Sequence, residues 1–193
     1  MNDKVFFPLA LLVAGLMVTA ALMVGRDTTP RGAIGGASSG NYAIIPIQGD
    51  DLMRLEGLAF GANSEVKQGL MTLSTGPSVQ PDEVPVGPHF KLAADIEAVF
   101  SGQTIRLFIE ARTVSGADLE VNYDTGQQGQ SGWQRFDLSE EFQEFRFDYN
   151  VPIRADGAES GFDYVGLRPV GDALPGVVEV RKIELRRLGR WSE

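Results

Sequence analysis

The sequence predicts an all-β domain, a two-sheet sandwich of roughly eight or nine short strands, standing behind one membrane-spanning α-helix. Three observations carry this. Apolar residues alternate with polar ones at period two through much of the second half of the chain. Clusters of Gly, Ser, Asp and Pro separate these alternating runs. The first of all the apolar stretches, Val5 to Val24, has no charge inside it.

That run, VFFPLALLVAGLMVTAALMV, is opened by Lys4 and closed by Gly25-Arg26-Asp27. A helix of this length spans about 30 Å, the thickness of a hydrocarbon core. The competing reading is a cleavable secretory signal, because Val18-Thr19-Ala20 offers small or aliphatic residues to signal peptidase. Against cleavage, the apolar run continues beyond Ala20 and exceeds the usual apolar region of about 7–15 residues. Both readings export the carboxy-terminal domain. Lys4 is offset by Asp3, and Arg26 and Arg31 lie beyond the other end, so charge alone does not orient the helix. The short amino-terminal flank favours a cytoplasmic amino terminus, with the carboxy-terminal domain on the periplasmic or extracellular side of the plasma (inner) membrane. The expected organisation is an anchor over 1–27, a flexible tether over 28–41 (TTPRGAIGGASSGN from Thr28), and a sandwich domain over 42–193.

Within that domain, Ile105, Leu107, Ile109 and Ala111 alternate with Arg106, Phe108, Glu110 and Arg112. Leu119, Val121 and Tyr123 alternate with Glu120, Asn122 and Asp124, and Phe145, Phe147, Tyr149 and Val151 with Arg146, Asp148 and Asn150. Further strands are expected over Tyr42–Ile47, Gly57–Phe60, Gly69–Ser74, Phe90–Phe100, Trp133–Leu138, Asp163–Arg168 and Val177–Leu188. The one expected helical stretch is Glu140–Gln143. Without crossover helices a doubly wound fold is excluded, and two packed antiparallel sheets are the economical solution.

Composition narrows the partners. The net charge of −9 argues against nucleic acid, which needs clustered Lys and Arg, and against adhesion of the folded domain to anionic lipid. With no cysteine, disulfides and thiolate metal sites are excluded.

The succession of a Gly102 turn into Ile105–Arg112, then Val121–Tyr123, Gly132-Trp133-Gln134-Arg135-Phe136, Phe145–Pro152, Asp163-Tyr164-Val165-Gly166-Leu167-Arg168-Pro169 and Val178–Leu185 resembles the galactose-binding-like jelly roll of carbohydrate-binding modules. The resemblance is strongest over 89–188 and extends to about 42–188. It implies a jelly-roll sandwich. Many such modules bind a structural calcium through acidic residues on the closing strand. Here Arg181-Lys182 stand at that place; Glu56 or Glu65 could still be an early ligand, but the six to eight oxygens that calcium takes are not assembled, so a structural calcium stays the lesser alternative. No cofactor is expected.

Catalysis has little to stand on. His89 is the only histidine, so no multi-histidine metal site can form and any Ser-His-Asp triad would have to use it. Asp118, Glu120 and Asp124 are acids on or beside one strand, read as a solvated face. The protein is read as non-enzymatic. Glycan binding would need rings that stack on sugar CH groups, with amides nearby to take the hydroxyls. Phe108, Tyr123, Trp133, Tyr149 and Tyr164 are the rings considered. The ligand set drawn from them and from the polar loop Asp124–Gly132 is Phe108, Tyr123, Gln127, Gln128, Gln130, Trp133 and Tyr149. A protein partner is the other reading. Ala10, Ala14 and Ala21, with Gly15 and Thr19, form a small-residue stripe for packing against another membrane helix. On that alternative the chain is an accessory or structural subunit of a larger integral membrane complex.

Overall fold

The computed structural model describes residues 32–35, 42–59, 61–76, 81–155, 161–171 and 175–191. The expected anchor and its small-residue stripe (Ala10, Ala14, Gly15, Thr19, Ala21) lie outside them. Among the described residues no helix is long and apolar enough to cross a membrane.

In chain order the elements are β1 (Ile44–Gln48), β2 (Asn63–Lys67), β3 (Leu70–Thr75), β4 (His89–Lys91), α1 (Ala94–Phe100), β5 (Gln103–Thr113), β6 (Asp118–Asp124), β7 (Gln134–Phe136), β8 (Gln143–Asn150), β9 (Tyr164–Val170) and β10 (Gly176–Arg190). One sheet runs β2-β3-β10-β5-β8 with β1 also on β10; the other runs β4-β9-β6-β7. Every pairing of these strands is antiparallel. β10 organises the larger sheet. Its first half pairs β3 from Gly176↔Thr75, its second half pairs β1 up to Arg186↔Ile44, and its other edge holds β5 from Val178 to Arg190.

The alternation that predicts β5 is the alternation that builds the core. Ile105, Leu107, Ile109 and Ala111 are fully buried with Val178, Val180, Ile183 and Leu185 of β10, facing Leu119, Val121, Val165 and Leu167 of the smaller sheet. At about 1.5–3 kcal/mol per fully buried aliphatic side chain, this double layer is the main source of stability.

Several elements differ from expectation. The segment Phe90–Phe100, expected as one strand, is the short β4 followed by α1. Ala94, Glu97 and Ala98 are good helix formers, and Ile96 and Phe100, four apart, both turn inward. Gly57–Phe60 is not a strand in its described part; its neighbour Glu56 makes a single bridge to His89. Glu140–Gln143 is not helical. β2, not expected, is a polar edge strand. Gln68 (φ 52°) and Gly69 (φ 75°) form a two-residue turn with both φ positive, the geometry that suits the twist of a hairpin. The tether is also shorter than expected. Ile34 is buried, its N–H donates to the Lys91 carbonyl and its own carbonyl accepts from Ala93, while Arg54 donates to the Ala33 carbonyl. The domain therefore begins by Ala33.

Candidate functional site

The outer face of the larger sheet is a carpet of ion pairs, some across strands and some along β10. Arg106 grips Asp148 through two nitrogens (2.6 and 2.7 Å), Arg112 pairs Glu179 (2.7 Å), Arg181 pairs Glu110 (2.7 Å), and Lys182 and Arg186 share Glu184 (2.6 Å each). Arg181 and Lys182 are thus committed to carboxylates. Phe108 sits on this face under the Arg186 guanidinium, 4.7 Å from its ring centroid, and Phe142 lies under Arg112 and Arg181. A ring capped by a cation offers that face to nothing else, so Phe108 is not an open platform.

The outer face of the smaller sheet is built in rows set by strand register. His89, Gly166 and Asn122 are side by side, and next to them lie Arg168, Glu120 and Arg135. A clasp covers the first row and Arg168 and Glu120 of the second, leaving Arg135 exposed. Arg168 donates to Glu120 (2.6 Å) and Asp82 (3.0 Å) and lies 4.1 Å over the Trp133 ring, whose Nε1–H donates to the Asp82 carbonyl (3.1 Å). Val84, fully buried in the 3-10 turn Val84–Val86, and the Trp133 ring fill the space above Gly166. A Cβ there would meet them at 2.7 and 3.0 Å. Glycine inside β9 is what lets the turn lie on the sheet. Trp133, read from sequence as a sugar platform, is therefore part of the clasp.

The remaining row stays open. Lys91, Tyr164 and Asp124 pair across β4, β9 and β6, and Gln130 bridges Asp124 from the following loop. At about 4.8 Å between strands the row is about 15 Å long. Tyr164 is half-buried at its centre, edge-on to His89 at 5.2 Å. Burial and the nearby Asp124, Glu56 and Asp163 carboxylates push its phenol pKa up, so it stays a neutral hydroxyl at physiological pH. Burial likewise raises the Asp124 carboxyl, opposed by a hydrogen bond from the Gly126 N–H (2.7 Å). Gln130 is exposed, and its Oε1 accepts from the buried Asn122 (2.7 Å), which fixes the amide plane. Lys91 Nζ stands 3.7 Å over the Phe162 ring, and Glu56 flanks His89. The row offers an aromatic floor, two carboxylates, an amide and an ammonium, with charges close to balance.

His89 is buried, with Nδ1 2.8 Å from the Gly87 carbonyl. A carbonyl only accepts, so Nδ1 carries the proton; no hydroxyl is among its hydrogen-bond partners in the described residues. Among those residues no three His, Asp or Glu side chains come together as metal ligands. Glu65 pairs Lys67.

The other predicted ligand residues distribute over several layers. Tyr123 is fully buried and its hydroxyl donates to Asp163. Tyr149 packs against it at 5.8 Å between centroids, its phenol pKa raised chiefly by burial. Both face the core; Tyr123 has no exposed ring face to offer, and Tyr149 is half-buried against it. Gln127 lies in the 3-10 turn Gly126–Gln128. Gln128 donates to Glu97 (2.8 Å), a buried carboxylate that also accepts from the Gly161 N–H (2.8 Å). Gln130 is the member of the predicted set that joins the open row among the described side chains. Lys91, Asp124 and Tyr164 were missed as neighbours because their adjacency depends on pairing between strands far apart in sequence. The signal available was the glycine in DYVGL, which marks a face approached by other chain.

No protein-family model and no curated protein matches the chain. Among solved structures, a family 4 carbohydrate-binding module is similar at 15% identity, covering 80% of this chain and 93% of the module, with a TM-score of 0.47. The xylan-binding family 22 domain from Paenibacillus barcinonensis is similar at 11% identity, covering 70% and 91%, with a TM-score of 0.43. A family 6 module from Cellvibrio mixtus lichenase 5A, in complex with cellotriose, gives 11%, 73%, 95% and 0.40. The chain is similar in fold to these carbohydrate-binding modules.

Proposed function

We propose that this chain is a non-catalytic, membrane-anchored protein whose exported sandwich binds an uncharged glycan along the row Lys91, Tyr164, Asp124 and Gln130. The observation that carries the reading is the contrast between the two outer faces. The larger sheet closes its face with matched ion pairs, whereas the smaller sheet leaves one row open, with a phenol ring flanked by hydrogen-bonding groups of both kinds. A pyranose presents apolar CH groups and hydroxyls together, which is what such a row can satisfy. The near balance of Asp124 and Glu56 against Lys91 favours a neutral ligand over a polyanion. The anchor, Val5 to Val24, holds the domain at the exported side of the plasma membrane.

A microarray of neutral oligosaccharides probed with the full chain in mild detergent tests this. Retention of at least one oligosaccharide class by the native chain, lost in Tyr164→Ala, is the expected result. Retention of none, or retention that Tyr164→Ala leaves intact, overturns the assignment.

A further inference from the structure

We infer that the end of the larger sheet formed by Ile44, Leu188, Ile153, Arg187 and Arg190 is turned toward the bilayer and rests on anionic lipid headgroups. This rests on the reading of residues 5–24 as an anchor, and on three observations from the folded domain.

The first is the length and attachment of the leash. With Ala33 and Ile34 bonded to the domain, only residues 25–33 separate the apolar run from Ile34, and about 3.3–3.6 Å per residue gives a reach of about 30 Å. Ile34 meets the domain in a depression that Ile44 and Pro46 also line, so the leash arrives at the end of the sandwich where β1 begins. The second is the apolar surface at that end. Ile44 is 47% exposed, Leu188 45% and Ile153 71%. They lie along the neighbouring ends of β1, β10 and β8: Ile44 pairs Arg186, two residues before Leu188, and Ile153 lies beside Gly102, next to Gln103, the partner of Arg190. The third is charge. The protein carries −9 overall, yet Arg187 and Arg190 are exposed here, while the acids of the adjacent sheet, Glu184 and Asp148, are held by Arg186, Lys182 and Arg106. Aliphatic side chains beside Arg187 and Arg190, which have no ion-pair partner among the described residues, match a headgroup layer, where cations meet lipid phosphates and short apolar side chains reach the acyl boundary. Asp51, which lines the same depression, is itself held by Arg54 at 3.1 Å.

The chain has no cysteine, so a single introduced one can be labelled cleanly. The full chain carrying Leu188→Cys or, at the opposite end, Val114→Cys would be tagged with an environment-sensitive fluorophore. Each would be reconstituted in nanodiscs of phosphatidylcholine with or without phosphatidylglycerol, some containing a headgroup-level quencher lipid. The expected result is a blue-shifted label at 188, quenched severalfold more than the label at 114 in the anionic discs, and returned to its phosphatidylcholine level by Arg187→Glu with Arg190→Glu. Equal quenching at the two ends overturns the inference while leaving the anchor and the glycan row untouched. A chain that does not float with the discs overturns the anchor and this inference together, and the oligosaccharide microarray still reads the glycan row independently.

Discussion

Replacing Asp163 by Asn isolates the least comfortable group in the domain. Asp163 has no solvent exposure; one oxygen accepts from the Tyr123 hydroxyl and Oδ1 has no hydrogen-bond partner among the described residues. Burial, reinforced by the neighbouring Glu97 and Asp124 carboxylates, pushes its pKa from 3.8 up to about 7, against the lowering effect of the Tyr123 bond. The folded state therefore binds the proton more tightly than the unfolded chain does. Stability from this group is fully present below about pH 4 and is lost as pH rises toward and through about 7. With ~1.4 kcal/mol per pH unit, the loss is on the order of 4 kcal/mol by pH 8, or on the order of 10 °C in melting temperature for a domain of this size. Asn cannot ionise, and its carbonyl oxygen can still accept from Tyr123. Thermal melts of the full chain in nonionic detergent, followed by tryptophan emission from pH 4.5 to 8, should show the native protein losing stability with rising pH relative to Asp163→Asn. The variant is expected to be the more stable of the two at pH 8. A difference between the two proteins that stays constant across this range would mean that Asp163 does not hold its proton more tightly in the folded state.

Other outcomes rest on the same packing. Gly166→Ala places a methyl where Val84 and Trp133 now sit, at a cost of about 1–3 kcal/mol, and should raise protease cleavage within residues 81–87. Arg168→Ala removes the guanidinium over Trp133 and leaves the Glu120 carboxylate without its 2.6 Å partner, so tryptophan emission should shift to the red with a loss of about 1–3 kcal/mol in denaturant titrations. Leu107→Ala, at the centre of β5, should cost about 2–5 kcal/mol, whereas Arg106→Ala, the next residue but outward in a half-exposed ion pair, should cost under about 1 kcal/mol.

Much of the fold was legible because half-buried strands write their orientation into the sequence. β5, β6 and β8 alternate at period two, and the inward residues of β5 and β6 are the ones found in the core. α1 was hidden because Ile96 and Phe100 are its only fully buried apolar positions, the third buried residue being the charged Glu97, and it follows closely on the strand-like Phe90-Lys91-Leu92. β2 was hidden because an edge strand of Asn, Ser, Glu, Val and Lys has no apolar face to announce it. The site was less legible than the fold. Rings mark themselves in a sequence, but whether a ring is buried, capped or open is decided by partners far along the chain. Arg186 for Phe108, Asp163 for Tyr123 and Arg168 for Trp133 are such partners, none of them local.

Titration calorimetry of the full chain with the oligosaccharide that the microarray selects would put the open row to its most direct test, comparing Tyr164→Ala with Phe108→Ala. Loss of a stacked ring at the site should weaken binding about tenfold or more for Tyr164→Ala. Phe108→Ala, on the ion-paired face, should bind as the native chain does. Unchanged affinity in Tyr164→Ala, or a loss confined to Phe108→Ala, would contradict the account and move the ligand to the other face of the sandwich.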